Sequence, residues 1–360
     1  MAKIKPLSGP QAWHGRDLAG SRRWIRDLSA RQLSEIDAAL TGTKAKGIPW
    51  EGIRRENFPL PSLAPLVDDV REELENGCGL VKIRGLAVDR YEPDDLRRIY
   101  FALGHYLGTP IFQNYKGMLM REIRDEGADV GTRYGQMADT NGTFLSSLAR
   151  TATNGALRFH TDRCDVVSLL CVSRASKGGE SKLVSTVAIH DAMLECRPDL
   201  LELLYQPYWR SRLGEEVGGD QLTYALPVFA VRNGRFTSHY SRTYVEAAQR
   251  LPHVPRMTPQ QNEALDLLAA IAEELCFKMT LEPGDLQLLN NHIVYHARAP
   301  FEDDPASGRR RALWRIWLSM PNSRALPEDH AILWGSVEAG AIRGGIAQAA
   351  SAPSAGPAPA

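Results

Sequence analysis

Two short stretches of this chain carry the residue types that hold a metal ion. His160-Thr161-Asp162 sets an imidazole and a carboxylate two residues apart. On a strand, positions i and i+2 face the same side, so both side chains can reach one ion. Two histidines and one carboxylate make the facial triad of oxygen-activating ferrous sites, which leaves the far side of the ion open. With nine histidines in the chain, an H-x-[DE] pair arises by chance about once, so the pair alone equally suits a surface histidine beside an N-capping aspartate. The third ligand must come from elsewhere. Asn290-Asn-His-Ile-Val-Tyr-His-Ala-Arg298 offers His292 or His296. Beyond it runs Arg309-Arg-Arg-Ala-Leu-Trp-Arg315. A co-substrate with two carboxylates needs one end on the metal and the other on a fixed cation. Arginine suits that task because its planar fork binds a carboxylate bidentately and keeps its charge. Arg309 and Arg310 read as an ordinary solvated basic run. Arg311, Leu313, Arg315 and Trp317 would share one strand face, an odd company for surface arginines.

The elements that must position these residues can be read from periodicity and turn signals. Trp24, Ile25, Leu28, Leu33, Ile36 and Leu40 recur at helical spacing, which predicts an amphipathic helix over 21–40. Helices are also predicted over 66–74, stopped by Asn76-Gly77, and over 94–107, 188–196, 199–204 and 259–276. Strands are predicted over 79–85, 166–172, 183–187, 227–232, 235–239, 277–281, 286–290 and 311–320. Many short strands with a few helices suit a mainly β fold with flanking helices, built on a double-sheet jelly roll. Residues 125–157 carry five glycines and little periodicity, which fits a lid over the site that begins at His160. From Ala339 to Ala360 the chain is Ala, Gly, Ser and Pro with few large apolar residues, and disorder is expected there. The resulting organisation is a helical extension over 1–78 packed on the core, a catalytic domain over 79–330 with its lid, and the tail over 339–360.

Composition excludes other classes. Forty-three basic residues balance forty-three acidic ones, so no broad electrostatic hold on nucleic acid or anionic membrane is expected. There is no long apolar run to span a bilayer and no secretory signal after the charged Met1–Pro6 start. Five widely spaced cysteines without C-x-x-C argue against disulfides and structural zinc, and for a cytoplasmic protein with reduced thiols. Cys164 and Cys171 read as packing residues, Trp314 and Trp317 as core, and His105 and His190 as structural. His239 and Tyr240 could line a pocket, and Gln113 and Tyr134 are candidate substrate contacts. A homo-oligomer is compatible with the sequence.

Leu157-Arg-Phe-His-Thr-Asp162 with Asp165, Gly178-Gly-Glu-Ser181 with Val184-Ser185, Arg197-Pro-Asp-Leu200, Pro283-Gly-Asp285, Asn290 to His296 and the Arg311-x3-Arg315 strand occur in that order over roughly residues 79–327. Together they resemble the taurine/2-oxoglutarate dioxygenase superfamily (TauD/TfdA-like), which includes clavaminate synthase. The resemblance implies a double-stranded β-helix core with His160, Asp162 and His296 as iron ligands and His292 second to His296. It implies Arg311 on the distal carboxylate of 2-oxoglutarate, Ser181 adding a hydrogen bond to it, and Arg315 meeting an acidic group of the prime substrate. The activity implied is Fe(II)- and 2-oxoglutarate-dependent oxidation of a small organic molecule, anions among the candidates, by O2, with release of succinate and CO2. Two rivals remain: a family member that binds 2-oxoglutarate or another ligand without turnover, and a jelly-roll metalloenzyme of another class, in which Arg311 would have no role.

Overall fold

The computed structural model describes residues 4–346, apart from 128, 135, 140, 141, 216–220, 305, 307 and 309. Its centre is a seven-stranded sheet. In order across the sheet run Ile25–Asp27, Leu80–Arg84, Leu286–Asn290, Val166–Ser173 and Ala312–Ser319; Thr109–Ile111 and Met120–Ile123 pair with the two halves of the last. Only the first pair is parallel. A second, antiparallel sheet orders Phe277–Met279, Ser181–Ser185, Val294–Arg298 and Leu157–His160.

Strand alternation divides the core into two layers. Leu80, Val167, Cys171, Leu289, Leu313 and Trp317 face the core shared with the second sheet. Val81, Val166, Leu170, Leu288, Trp314 and Ile316 face the opposite layer. That layer is closed by the helices Ala30–Ala45, Ala64–Glu75 and Pro93–Leu107, through Ile36, Leu40, Val70, Leu74, Ile99 and Leu103. Because both faces of the central strands are covered, they read as continuous apolar runs rather than clean alternation. The helices Thr186–Cys196, Pro198–Leu204 and Pro259–Leu275 close the outer side of the second sheet. This is the expected double-sheet core with flanking helices.

Three expectations are corrected. The helix predicted over 21–40 starts only at Ala30. Ser29 caps it, its hydroxyl accepting from Gln32 N–H while the Gln32 side chain accepts from Ser29 N–H. This capping box outweighs the apolar periodicity before it, and Ile25 pairs instead with Lys82 at the sheet edge. Residues 125–157 are more regular than expected. They hold the short helices Val130–Tyr134 and Ser147–Thr151 and a ribbon of Gln136–Asp139 with Gly142–Leu145. Finally, residues 339–346 are packed. Ile346 joins the core between the sheets, and the Arg343 guanidinium lies 2.8 Å from the buried Asp165 carboxylate. Composition hid this because one charged and one apolar side chain suffice to anchor the segment. Residues 347–360 lie outside the described residues.

Candidate metal centre

His160 and His296 are cross-strand partners in the second sheet. Directly opposed residues of an antiparallel pair project to the same face, and here the two imidazole centroids lie 4.2 Å apart. Asp162 joins them by a different route from the one its spacing suggested. The strand ends at His160; beyond it Thr161 N–H donates to the Tyr240 carbonyl at 2.9 Å and Asp162 N–H to Asn291 Oδ1 at 3.0 Å. These bonds carry the chain past the strand end and bring Asp162 to 3.9 Å from Nε2 of each histidine.

The ligand atoms of the three residues lie within 4.8 Å of one another. Two metal–ligand bonds of about 2.0–2.2 Å span at most about 4.4 Å, so a slight inward rotation lets one ion bind all three. The donor chemistry fits as well. Burial pushes His160 below its ordinary pKa and His296 down to about 3, which keeps both imidazoles neutral and able to ligate. His160 Nδ1 bonds the Arg158 carbonyl at 2.8 Å, fixing the tautomer with Nε2 free towards the cluster. His296 Nδ1 is buried without a hydrogen-bond partner among the described residues. Burial alone would raise the Asp162 carboxyl, but Arg315, the two histidines and the Trp317 indole hold it below the usual carboxylate range.

Arg315 and Trp317 orient that carboxylate. Arg315 Nη1 donates to Asp162 Oδ2 at 3.2 Å, and Trp317 Nε1 donates to the same oxygen at 2.9 Å. Arg315 is fixed in turn by Gln113. Its Nε donates to Gln113 Oε1 at 2.7 Å, and Gln113 Nε2 donates back to the Arg315 carbonyl at 2.9 Å. Gln113 is fully buried, so the structure gives it this partner rather than an open surface. Tyr134 donates to Glu126 at 2.9 Å with Arg121 over its ring, and is not among the residues lining the cavity at the cluster.

Arg311 is buried just before the strand that carries Arg315. Its N–H donates to Asp303 Oδ1, its guanidinium lies 5.1 Å from the Phe301 ring centre, and Nη1 has no partner among the described residues. Burial lowers it to about 10, which leaves it charged at neutral pH. Gly179 wraps its side chain with φ +80°; a Cβ there would lie 3.1 Å from Arg311 Nε. A buried cation with an unused donor is what a bound carboxylate would satisfy. Ser181 is buried two residues on, across from Arg298 and two positions from Leu183, the cross-strand partner of His296.

His292, the other candidate ligand, is not in the cluster. Its Nε2 bonds Asp165 Oδ1 at 2.9 Å and its Nδ1 bonds Thr237, in a buried network that includes Arg343. His239 does line the cavity, between Thr161 and Tyr224. The cavity, about 510 Å³ with its open mouth, is also lined by Leu148, Thr151, Arg163, Glu215, Ser241 and Tyr244. Sequence reasoning missed these residues and the role of the Trp317 indole. Arg163 adjoins Asp162 in sequence; nothing in the sequence marks the others, which come from separate elements. Leu148 and Thr151 belong to the segment read as a lid.

The family model for "Taurine catabolism dioxygenase TauD, TfdA family" matches residues 39–317. FR-33289 synthase of Streptomyces rubellomurinus is 28% identical over 334 residues, 90% of this chain and 93% of that protein. Taurine hydroxylase-like protein SAT17 of Stachybotrys chartarum is 29% identical, over 86% of this chain and 79% of its own. Among solved structures, an asparagine oxygenase in complex with Fe(II), 3-hydroxyasparagine and succinate superposes with a TM-score of 0.62 at 17% identity, over 88% of this chain and 99% of that one. The non-haem iron oxygenase OrfP, in complex with Fe and alpha-ketoglutaric acid, gives 0.59 at 17% identity over 82% and 93%. The chain belongs to the TauD/TfdA dioxygenase family and is an Fe(II)- and 2-oxoglutarate-dependent oxygenase of small molecules.

Proposed function

We propose that His160, Asp162 and His296 hold the iron, that Arg311 and Ser181 hold the distal carboxylate of 2-oxoglutarate, and that the cavity beside the cluster receives the prime substrate. The observation that carries this reading is the meeting of His160, Asp162 and His296 in one cluster, with a buried arginine, under-bonded among the described residues, just before the strand that carries Arg315. Bound iron supplies the oxidising power, at the expense of 2-oxoglutarate and O2. The protein's part is geometric and electrostatic. The sheet holds both imidazoles neutral and side by side. Gln113, Arg315 and Trp317 fix the rotamer and charge of Asp162. Leu148 and Thr151 cover the cavity from the 125–157 segment, which we read as the lid that keeps water from the reacting centre. Arg163 and Arg315 both line the cavity and offer cationic groups to an anion on the substrate.

We place the protein in a reducing, cytoplasmic setting, in keeping with five free thiols; no described helix is long and apolar enough to cross a membrane. Adding Fe(II) and 2-oxoglutarate to metal-free protein under anaerobic conditions should produce a metal-to-ligand charge-transfer band. Admitting air should then convert 2-oxoglutarate to succinate. His160→Ala should lose both signals; their persistence in that variant would rule out this ligand set.

A further inference from the structure

The wall of the cavity opposite in charge to Arg315 and Arg163 is made by Glu215. Its carboxylate lines the cavity and accepts a hydrogen bond on Oε1 from the Tyr244 hydroxyl at 2.5 Å. Among the described residues it forms no ion pair and Oε2 takes no hydrogen bond. Arg163 lines the same cavity, but its Nε donates to the Leu333 carbonyl and it acts on Glu215 only through space. Burial raises the Glu215 carboxyl above its ordinary range, an effect the Tyr244 hydroxyl partly offsets. Glu215 is only partly buried, and a ligand that displaced the remaining solvent from its carboxylate would incur a cost unless it brought a cation or donors. Elsewhere in this fold that requirement is met: Asp165 faces Arg343, Glu75 faces Arg324 and Asp162 faces Arg315. Of the two acids that line this cavity, Glu215 is the one without such a partner among the described residues.

We propose that Glu215, held by Tyr244, is the subsite for a protonated amine on the prime substrate. This rests on the reading of the cavity as the oxygenase active site. With Arg163 and Arg315 lining the same cavity, an ammonium at Glu215 and an anionic group at the arginines would be bound together, so a zwitterion is accommodated without burying net charge. Leu148, Trp317 and Leu333 enclose the carbon skeleton between them.

The test is an anaerobic titration of the protein loaded with Fe(II) and 2-oxoglutarate, using n-butylammonium, 1-butanol and butyrate as near-isosteric probes. The readout is the perturbation of the charge-transfer band. In the unaltered protein, butylammonium should act at a concentration at least about tenfold below the other two. Glu215→Gln should abolish that preference while leaving the band itself unchanged, and Glu215→Asp, which keeps the charge, should retain part of it. The proposal is overturned if butylammonium has no effect, if butyrate or butanol binds as well, or if the preference survives in Glu215→Gln. Should no band form with iron and 2-oxoglutarate alone, the oxygenase site itself is wrong, and the subsite with it.

Discussion

Arg310 and Arg311 are adjacent and chemically alike, yet of the two only Arg311 is buried, with a guanidinium nitrogen that has no hydrogen-bond partner among the described residues. A lost charge-assisted, bidentate contact is worth about 1.5–3 kcal/mol. Arg311→Ala should therefore weaken 2-oxoglutarate binding roughly ten- to a hundredfold, measured by anaerobic titration, whereas Arg310→Ala should leave it within about twofold. Equal losses in the two variants would show that general positive charge, not a specific contact, binds the co-substrate. Arg315 and Trp317 sit on the strand that follows Arg311 but act on Asp162. Trp317→Phe keeps the ring and removes only the donor, so it should loosen iron binding more than it lowers thermal stability. Iron titration against melting temperature separates the two.

Elements matter here through their ends and turns. Ser29 stops the first long helix from extending backwards, and so frees Ile25–Asp27 to join the sheet. Ser29→Ala should cost about 1 kcal/mol of stability, read by denaturant unfolding, with little change in iron affinity. The Gly178-Gly179 turn, by contrast, is tied to the site. Both residues have positive φ, and Gly179 leaves room for the Arg311 side chain. Gly179→Ala combines a disfavoured backbone with a contact 3.1 Å from Arg311 Nε. It should lower both stability and 2-oxoglutarate affinity, where Ser29→Ala lowers only the first.

At the scale of the whole molecule, the two core layers and the returning chain end are joined by buried polar pairs. Asp165 accepts from His292, Met320 N–H and Arg343, and so ties the segment that follows Asp162 to the strand end and to the C-terminal segment. Burial lowers His292 to about 4. A histidine with a folded pKa below its ordinary 6.5 is neutral in both states above that value and has no effect there. As the pH falls below 6.5 the unfolded chain takes up the proton first, so stability is lost between pH 6.5 and about 4. For His292 alone the loss is on the order of 3 kcal/mol. His105, lowered to about 4, and His296, to about 3, act in the same direction. The melting temperature of the metal-free protein should therefore fall steeply over that range, and His292→Gln should flatten the slope; an unchanged slope would mean that His292 titrates alike in the folded and unfolded chain.

The sequence by itself determined which residue types could bind iron and a dicarboxylate, and the order of motifs that places the chain in its family. It also determined most strands and helices, because turn residues and apolar runs are local signals. Tertiary structure put His296, and not His292, beside His160 and Asp162: both sit in one motif, but only His296 lies across from His160 in the sheet. It decided that Gln113 braces Arg315 from behind, that residues 339–346 pack, and that Glu215 and Tyr244 face the cluster. These are contacts between elements distant along the chain. No local pattern encodes them, since strand pairing and burial, rather than spacing, set which side chains meet.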